Sequence, residues 1–183
     1  MIIAWLKRLF AKKEVPEMTN LVFNNAFNLL MQNEGGYVFN ANDKGGETKY
    51  GISKRAYPNE DIKNLTLERA QEIYRCDYWN RCKCDFLPDA LSVAVFDFAV
   101  NSGVNRAVKL FQKALGVKQD GIMGNETIGA ANRINPRTTL EKYLDLRLEF
   151  VLNIIKKNPT QKVFEKGWTR RIERVRKYCE ELV

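Results

Sequence analysis

Residues 88–103, PDALSVAVFDFAVNSG, carry apolar side chains on nearly every side of the helix they would form. A surface helix shows a polar stripe, and one that is apolar all round belongs inside, with other helices packed about it. Pro88 suits a first helical turn and Gly103 suits a stop. This segment therefore predicts a central buried helix in a mainly helical protein. Two polar residues interrupt it one turn apart, Asp97 and Asn101. Polar groups that are buried need hydrogen-bond partners, so these two either brace a site, contact a substrate, or belong to a structural network.

Helical patterns continue on both sides. Upstream, Leu21, Val22, Phe23, Ala26, Phe27, Leu29, Leu30 and Met31 recur at helical spacing, with Thr19 or Asn20 as N-cap and Gly35-Gly36 as the stop. Thr66 caps a second helix, lined by Leu67, Ala70, Ile73, Tyr74 and Tyr78. Downstream, helices are predicted from about 105 to 115, ending at Gly116, and from 126 to 132. A long helix opens at Asn135-Pro136 and ends before Pro159, and a basic helix follows over 162–181. In that last helix Trp168, Ile172 and Val175 read as buried and the arginines as solvated. Strand signals are almost confined to residues 37–52, where 37–39 and 49–52 flank a polar turn and pair as one short hairpin.

Composition removes several chemistries. The 183 residues contain no histidine. A Ser-His-Asp or Cys-His hydrolase lacks its imidazole, and the usual zinc enzymes lack their ligands. The four cysteines, Cys76, Cys82, Cys84 and Cys179, do not match a zinc knuckle and read mainly as free or buried thiols, with a disulfide as the alternative. No metal or cofactor is expected. No stretch reaches the roughly 20 apolar residues of a membrane span. The net charge of +8 suits a polyanionic partner or plain solubility. No interleaved aromatic and basic motif points to specific nucleic-acid binding. Residues 1–17 form an amphipathic or disordered leader that could touch an anionic membrane surface. The apolar run there is too short, and its charges wrongly placed, for a signal peptide.

The chemistry concentrates in residues 33–52, NEGGYVFNANDKGGETKYGI. Glu34 stands where the first helix ends, and Asp43 and Thr48 follow in Gly-rich turns. Cleavage of a glycosidic bond needs two carboxyl groups held in different protonation states. Glu34 fits the general acid, which must keep its proton near neutrality. Asp43, aided by Thr48, fits a group that activates water. Glu47 competes for the second acid, and Asp43 is also ordinary turn chemistry. Tyr37 and Tyr50 could stack on sugar rings or simply pack the hairpin.

Taken together, these blocks resemble glycoside hydrolase family 108. They are Glu34-Gly35-Gly36-Tyr37, then Asp43 to Thr48, Tyr50-Gly51-Ile52-Ser53, Tyr78-Trp79, Cys84 to Pro88, Phe96-Asp97 and Ala99 to Gly103. The resemblance covers roughly residues 20–180. It implies a lysozyme-like, mainly helical fold and hydrolysis of the β-1,4 bond between N-acetylmuramic acid and N-acetylglucosamine. Glu34 matches the family's catalytic glutamate, and Glu34, Asp43 and Thr48 follow the order of the Glu-Asp-Thr set of phage lysozymes, with a shorter step from Asp43 to Thr48. Leu115-Gly116-Val117, Asp120-Gly121 and Gly124 to Thr127 resemble the peptidoglycan-binding segment commonly joined to this family, and Gly167-Trp168 and Arg170-Arg171 also fit. The expected organisation is a leader over 1–17, a catalytic region over 18–115 with Glu34, Asp43 and Thr48 as catalytic residues and Tyr37, Tyr50, Asp97 and Asn101 as substrate contacts, and a peptidoglycan-binding segment over 116–183 packed against it. The resemblance implies a phage or prophage endolysin, made in the host cytoplasm and acting on the cell wall from the periplasm, and a monomer is expected; a lytic transglycosylase or a non-catalytic wall-binding module is the alternative.

Overall fold

In chain order the computed structural model, which describes residues 17–32, 38–39 and 46–183, opens with α1 (Glu17–Met31). A small antiparallel sheet follows, in the order β1 (Val38–Phe39), β2 (Glu47–Lys49) and β3 (Ile52–Ser53). Next come α2 (Leu67–Tyr74), running directly into a π-turn at Arg75–Trp79, and a 3-10 turn at Cys84–Phe86. The remaining helices are α3 (Asp89–Ser102), α4 (Val104–Leu115), α5 (Asn125–Arg133), α6 (Pro136–Lys157) and α7 (Glu165–Glu180), with a 3-10 turn at Pro159–Phe164 before the last. The protein is mainly helical with a small sheet, as the periodicity predicts.

Helix α3 is the centre. Ala90 through Ala99 are all buried, and α1, α4, α6 and α7 pack around them. Residues two apart on a helix point about 200° from each other, so Phe96 and Phe98 serve opposite sides. Phe96 meets Phe23 and Trp79 edge-on, with ring centroids 5.9 and 5.5 Å away. Phe98 meets Tyr143 and Phe150 of α6 at 6.2 and 5.7 Å. Edge-to-face geometry sets the positive rim of one ring against the negative face of the next. One helix thus joins the N-terminal half of the chain to the C-terminal half through a continuous apolar core.

The caps follow the sequence closely. Thr66 accepts from the Arg69 amide, and Asn135 accepts from the Thr138 amide with Pro136 at the first position of α6. Gly116 closes α4 at φ +73°, a conformation costly for residues with a Cβ. Several expectations need correcting. Helix α1 opens at Glu17, so Thr19 and Asn20 lie within it, and it stops at Met31, ahead of Gly35. The sheet has a third strand. Lys49 pairs with Ile52 across a two-residue loop in which Tyr50 and Gly51 both have positive φ, +52° and +74°. Those signs match the type I′ turn, whose twist suits a tight hairpin. Tyr-Gly lacks the Asn or Asp that usually announces such a turn. The leader over residues 1–17 falls outside the described residues up to position 16. None of the described helices is long and apolar enough to cross a membrane.

Two buried polar networks lock the helices together. Asp97 is 4% exposed, and Arg147 of α6 and Arg171 of α7 converge on its carboxylate. Arg147 Nη2 lies 2.6 Å from Oδ2, and Arg171 Nη2 lies 2.9 Å from Oδ1. Burial opposes the charge, but the two guanidinium groups outweigh it and hold the carboxyl below its ordinary range. Arg171 is therefore not one of the solvated arginines that the basic helix led us to expect. In the second network the buried Gln112 side chain donates to Asp120 Oδ1 (2.8 Å), the Ile122 carbonyl (3.0 Å) and Thr127 Oγ1 (3.1 Å). Its own oxygen accepts from the Gly121 amide at 2.9 Å. All four cysteines are free. Cys82, Cys84 and Cys179 are buried, and burial pushes the Cys179 thiol up to about 12.

Candidate active site

Three of the predicted site residues, Glu34, Tyr37 and Asp43, lie outside the described residues. The frame that carries them is visible on both sides. Upstream is the end of α1 at Met31, whose Phe27 and Leu30 are fixed in the core. Downstream is the sheet.

Thr48 occupies the middle of the middle strand, opposite Val38 on β1 and Ser53 on β3. Directly paired residues share a face, and neighbours along a strand take opposite faces. Ile52 is 2% exposed and points into the core, and its partner Lys49 shares that face. Thr48 and Ser53 therefore occupy the other face, away from the core. Glu47 alternates with Thr48, so it cannot present its carboxylate on the same side of the sheet.

Tyr50 begins the tight turn, and its carbonyl accepts from the Tyr74 hydroxyl at 2.9 Å, pinning the hairpin to the end of α2. Its half-buried ring packs against the core, with Lys49 Nζ 5.5 Å from its centroid. Tyr74 in turn packs on Tyr78, with ring centroids 5.7 Å apart. Tyr78 lies in the π-turn and lines a groove of about 770 Å³. Tyr57 and Asp77 form one edge of that groove, and Ser102 through Arg106 form the facing wall. The Tyr57 hydroxyl donates to Asp77 Oδ2 at 2.8 Å. Burial, and then this bond to a carboxylate, push the phenol well above its ordinary value, so it remains a donor at working pH.

The two polar residues of α3 have separate fates. Asn101 is exposed on the last turn, its side-chain oxygen accepting from Ser102 Oγ at 3.1 Å beside the groove. Asp97, one turn earlier, is sealed inside with both carboxylate oxygens engaged by arginine. Of the readings open to Asp97, the geometry is that of an internal network, because a substrate could reach its oxygens only by displacing two guanidinium groups. The sequence concealed the partners, although Arg147 carried a signal: it shares the buried stripe of α6 with Leu140, Leu144 and Val151. Tyr57 and Asp77, 20 residues apart, gave none. Among the described residues, no group of three or more acidic or cysteine side chains is arranged to hold a metal ion.

Comparison with known proteins gives this frame a context. The model of the family described as glycosyl hydrolase 108 matches residues 27–103, the span that contains positions 34, 43, 48, 97 and 101. A second model, described as a predicted peptidoglycan domain, matches residues 106–173. Among solved structures, that of Brucella abortus SagA superposes with a TM-score of 0.77 at 36% identity, over 89% of this chain and 96% of that one. The curated proteins include no match.

Proposed function

This chain belongs to the glycosyl hydrolase 108 family and is a glycoside hydrolase acting on peptidoglycan, and we propose that the bond it cleaves is the β-1,4 linkage from N-acetylmuramic acid to N-acetylglucosamine. The observation that carries the reading is the family match over residues 27–103, which takes in the whole Glu34-to-Asn101 set within one continuous span. In the proposed reaction Glu34 protonates the leaving glycosidic oxygen as the bond to the anomeric carbon breaks. Asp43 takes a proton from a water that attacks that carbon from the opposite face, and Thr48 orients the water. The outward face of β2 suits that last role, since Thr48 stands there, paired in register with Val38 and Ser53. Asn101 and Tyr50 contribute on the substrate side. The biological setting we propose is cell-wall lysis from the periplasm by a phage or prophage endolysin.

Product analysis on purified peptidoglycan tests the bond. Borohydride reduction followed by mass spectrometry should find reduced N-acetylmuramic acid at the new ends. Reduced N-acetylglucosamine would place the cut at the other linkage, and an anhydro sugar would mean that no water is added. Glu34→Gln should lose about 10²-fold or more of the turnover, the usual contribution of a positioned acid, with an unchanged circular dichroism spectrum.

A further inference from the structure

We propose that the groove between the Tyr57–Asp77 pair and the start of α4 is a subsite for the acidic stem peptide of peptidoglycan, which Arg81, Arg106 and Lys109 bind through its carboxylates. This rests on the reading of the chain as a peptidoglycan hydrolase and extends it from the bond cut to the part of the polymer recognised.

The groove, at about 770 Å³, lies within the range of ligand-sized clefts. Its charge is one-sided. Among the described residues three cations line it against a single carboxylate, Asp77, and that carboxylate already accepts the Tyr57 hydroxyl. Arg106 is held in place, its guanidinium 5.0 Å from the centroid of Phe150 and one nitrogen 3.3 Å from the Ser102 carbonyl. Arg81 and Lys109 are exposed and form no salt bridge among the described residues.

The chemistry of the polymer says what such a groove would hold. Its sugars are neutral once the lactyl carboxyl is in amide linkage to the peptide. The anionic groups are then the carboxylates of the stem. A neutral sugar ring would gain little from three cations, whereas a short acidic peptide would pair with them and lay its backbone along Tyr57 and Tyr78.

The groove also joins the two halves that the family models match. Its lining from Ala56 to Gly103 lies within the first match, and Arg106, Lys109, Leu110 and Gln119 lie within the peptidoglycan-domain match. The Asp120-Gly121 turn backs that second group closely. At Gly121, with φ +81°, an added Cβ would lie 2.4 Å from Asn105 Nδ2 and 3.2 Å from Lys109 Cε. The glycine there permits a close approach that sets how Asn105 and Lys109 stand, and Gln112 locks the turn in that position.

A binding measurement on Glu34→Gln protein tests the subsite apart from the bond cleaved. The probes are soluble glycan oligomers in three forms: with stems, with stems whose carboxylates are amidated, and stripped of stems by an amidase with the freed lactyl carboxylates then capped as methylamides. The stemmed oligomers should bind at least tenfold more tightly than either of the other two. In the Arg81→Gln, Lys109→Gln double variant the stemmed affinity should fall to the stripped level, while the stripped affinity stays unchanged. Equal affinity for stemmed and stripped oligomers, or a double variant that keeps the preference, overturns the proposal. Tight binding that survives amidation assigns the groove to peptide shape and likewise overturns the charge reading. A wrong bond assignment would show in the product analysis and would leave these binding differences untouched.

Discussion

At position 48 a single hydroxyl separates two readings of the site. If Thr48 holds the attacking water on the outward face of β2, Thr48→Val should lower turnover by roughly 10²-fold, the scale of loss when a reactant is misplaced. Glu47→Gln, on the face shared with Lys49 and Ile52, should stay near wild type. Initial rates of peptidoglycan solubilisation for the two variants compare them directly, and the reverse ranking would put the second acid at Glu47. Asp97 acts at the same scale through stability. Its carboxyl is depressed in the folded state. The stability it supplies is therefore fully present above its unfolded value of about 3.9 and is lost as pH falls through the lower folded value. Asp97→Asn leaves two guanidinium groups without their counter-charge and should cost about 3–5 kcal/mol, as removal of one partner of a buried ion pair does. Urea titrations of wild type and variant should show the gap at pH 7 and its narrowing in acid below pH 4. The polarity of Asp97 on an apolar helix was legible in the sequence. Its role was not, because Arg147 and Arg171 lie 50 and 74 residues away and only folding brings them in.

Among the elements, what could be read ahead was whatever is encoded locally. Caps at Thr66 and Asn135, the stop at Gly116 and the all-round apolar α3 each depend on a few adjacent residues. The π-turn after α2 and the third strand were not legible. The first is a change in hydrogen-bond register with no residue type of its own, and the second depends on Tyr50 adopting a left-handed conformation that tertiary anchoring to Tyr74 supports. The Asp120-Gly121 turn lies between these cases. Asp-Gly is a common turn pair, but its lock, Gln112, lay inside a helix whose other buried residues are apolar. Gln112→Leu keeps the volume and removes the donors and acceptor that hold Asp120, Gly121, Ile122 and Thr127. It should destabilise the protein by about 1–3 kcal/mol, the cost of leaving buried polar partners unsatisfied. Hydrogen exchange at the Gly121 amide should rise more than exchange within α3, since the turn is released before the core is.

Across the whole molecule, the two family matches meet between residues 103 and 106, yet the core does not divide there. Helix α3 belongs to the first match and spends much of its surface on the second. Phe98 packs on Tyr143 and Phe150, and Asp97 is neutralised only by Arg147 and Arg171. Helices α4, α6 and α7 all pack on α3. A fragment ending at residue 115, where the family resemblance placed a boundary, would keep α4 but lose both arginines and the α6 side of the Phe98 contact. It would carry an uncompensated buried carboxylate and an exposed aromatic face, each a recognised cause of large destabilisation. The intact chain should therefore unfold in one cooperative transition, with near-UV and far-UV signals coincident and calorimetric and van't Hoff enthalpies equal. Fragment 17–115 should show no cooperative melt and should bind dyes that seek exposed apolar surface. Two separated transitions in the full chain, or a fragment that melts sharply by itself, would mean that α3 does not couple the halves, and the groove they share would then have no fixed shape in which to hold a peptide.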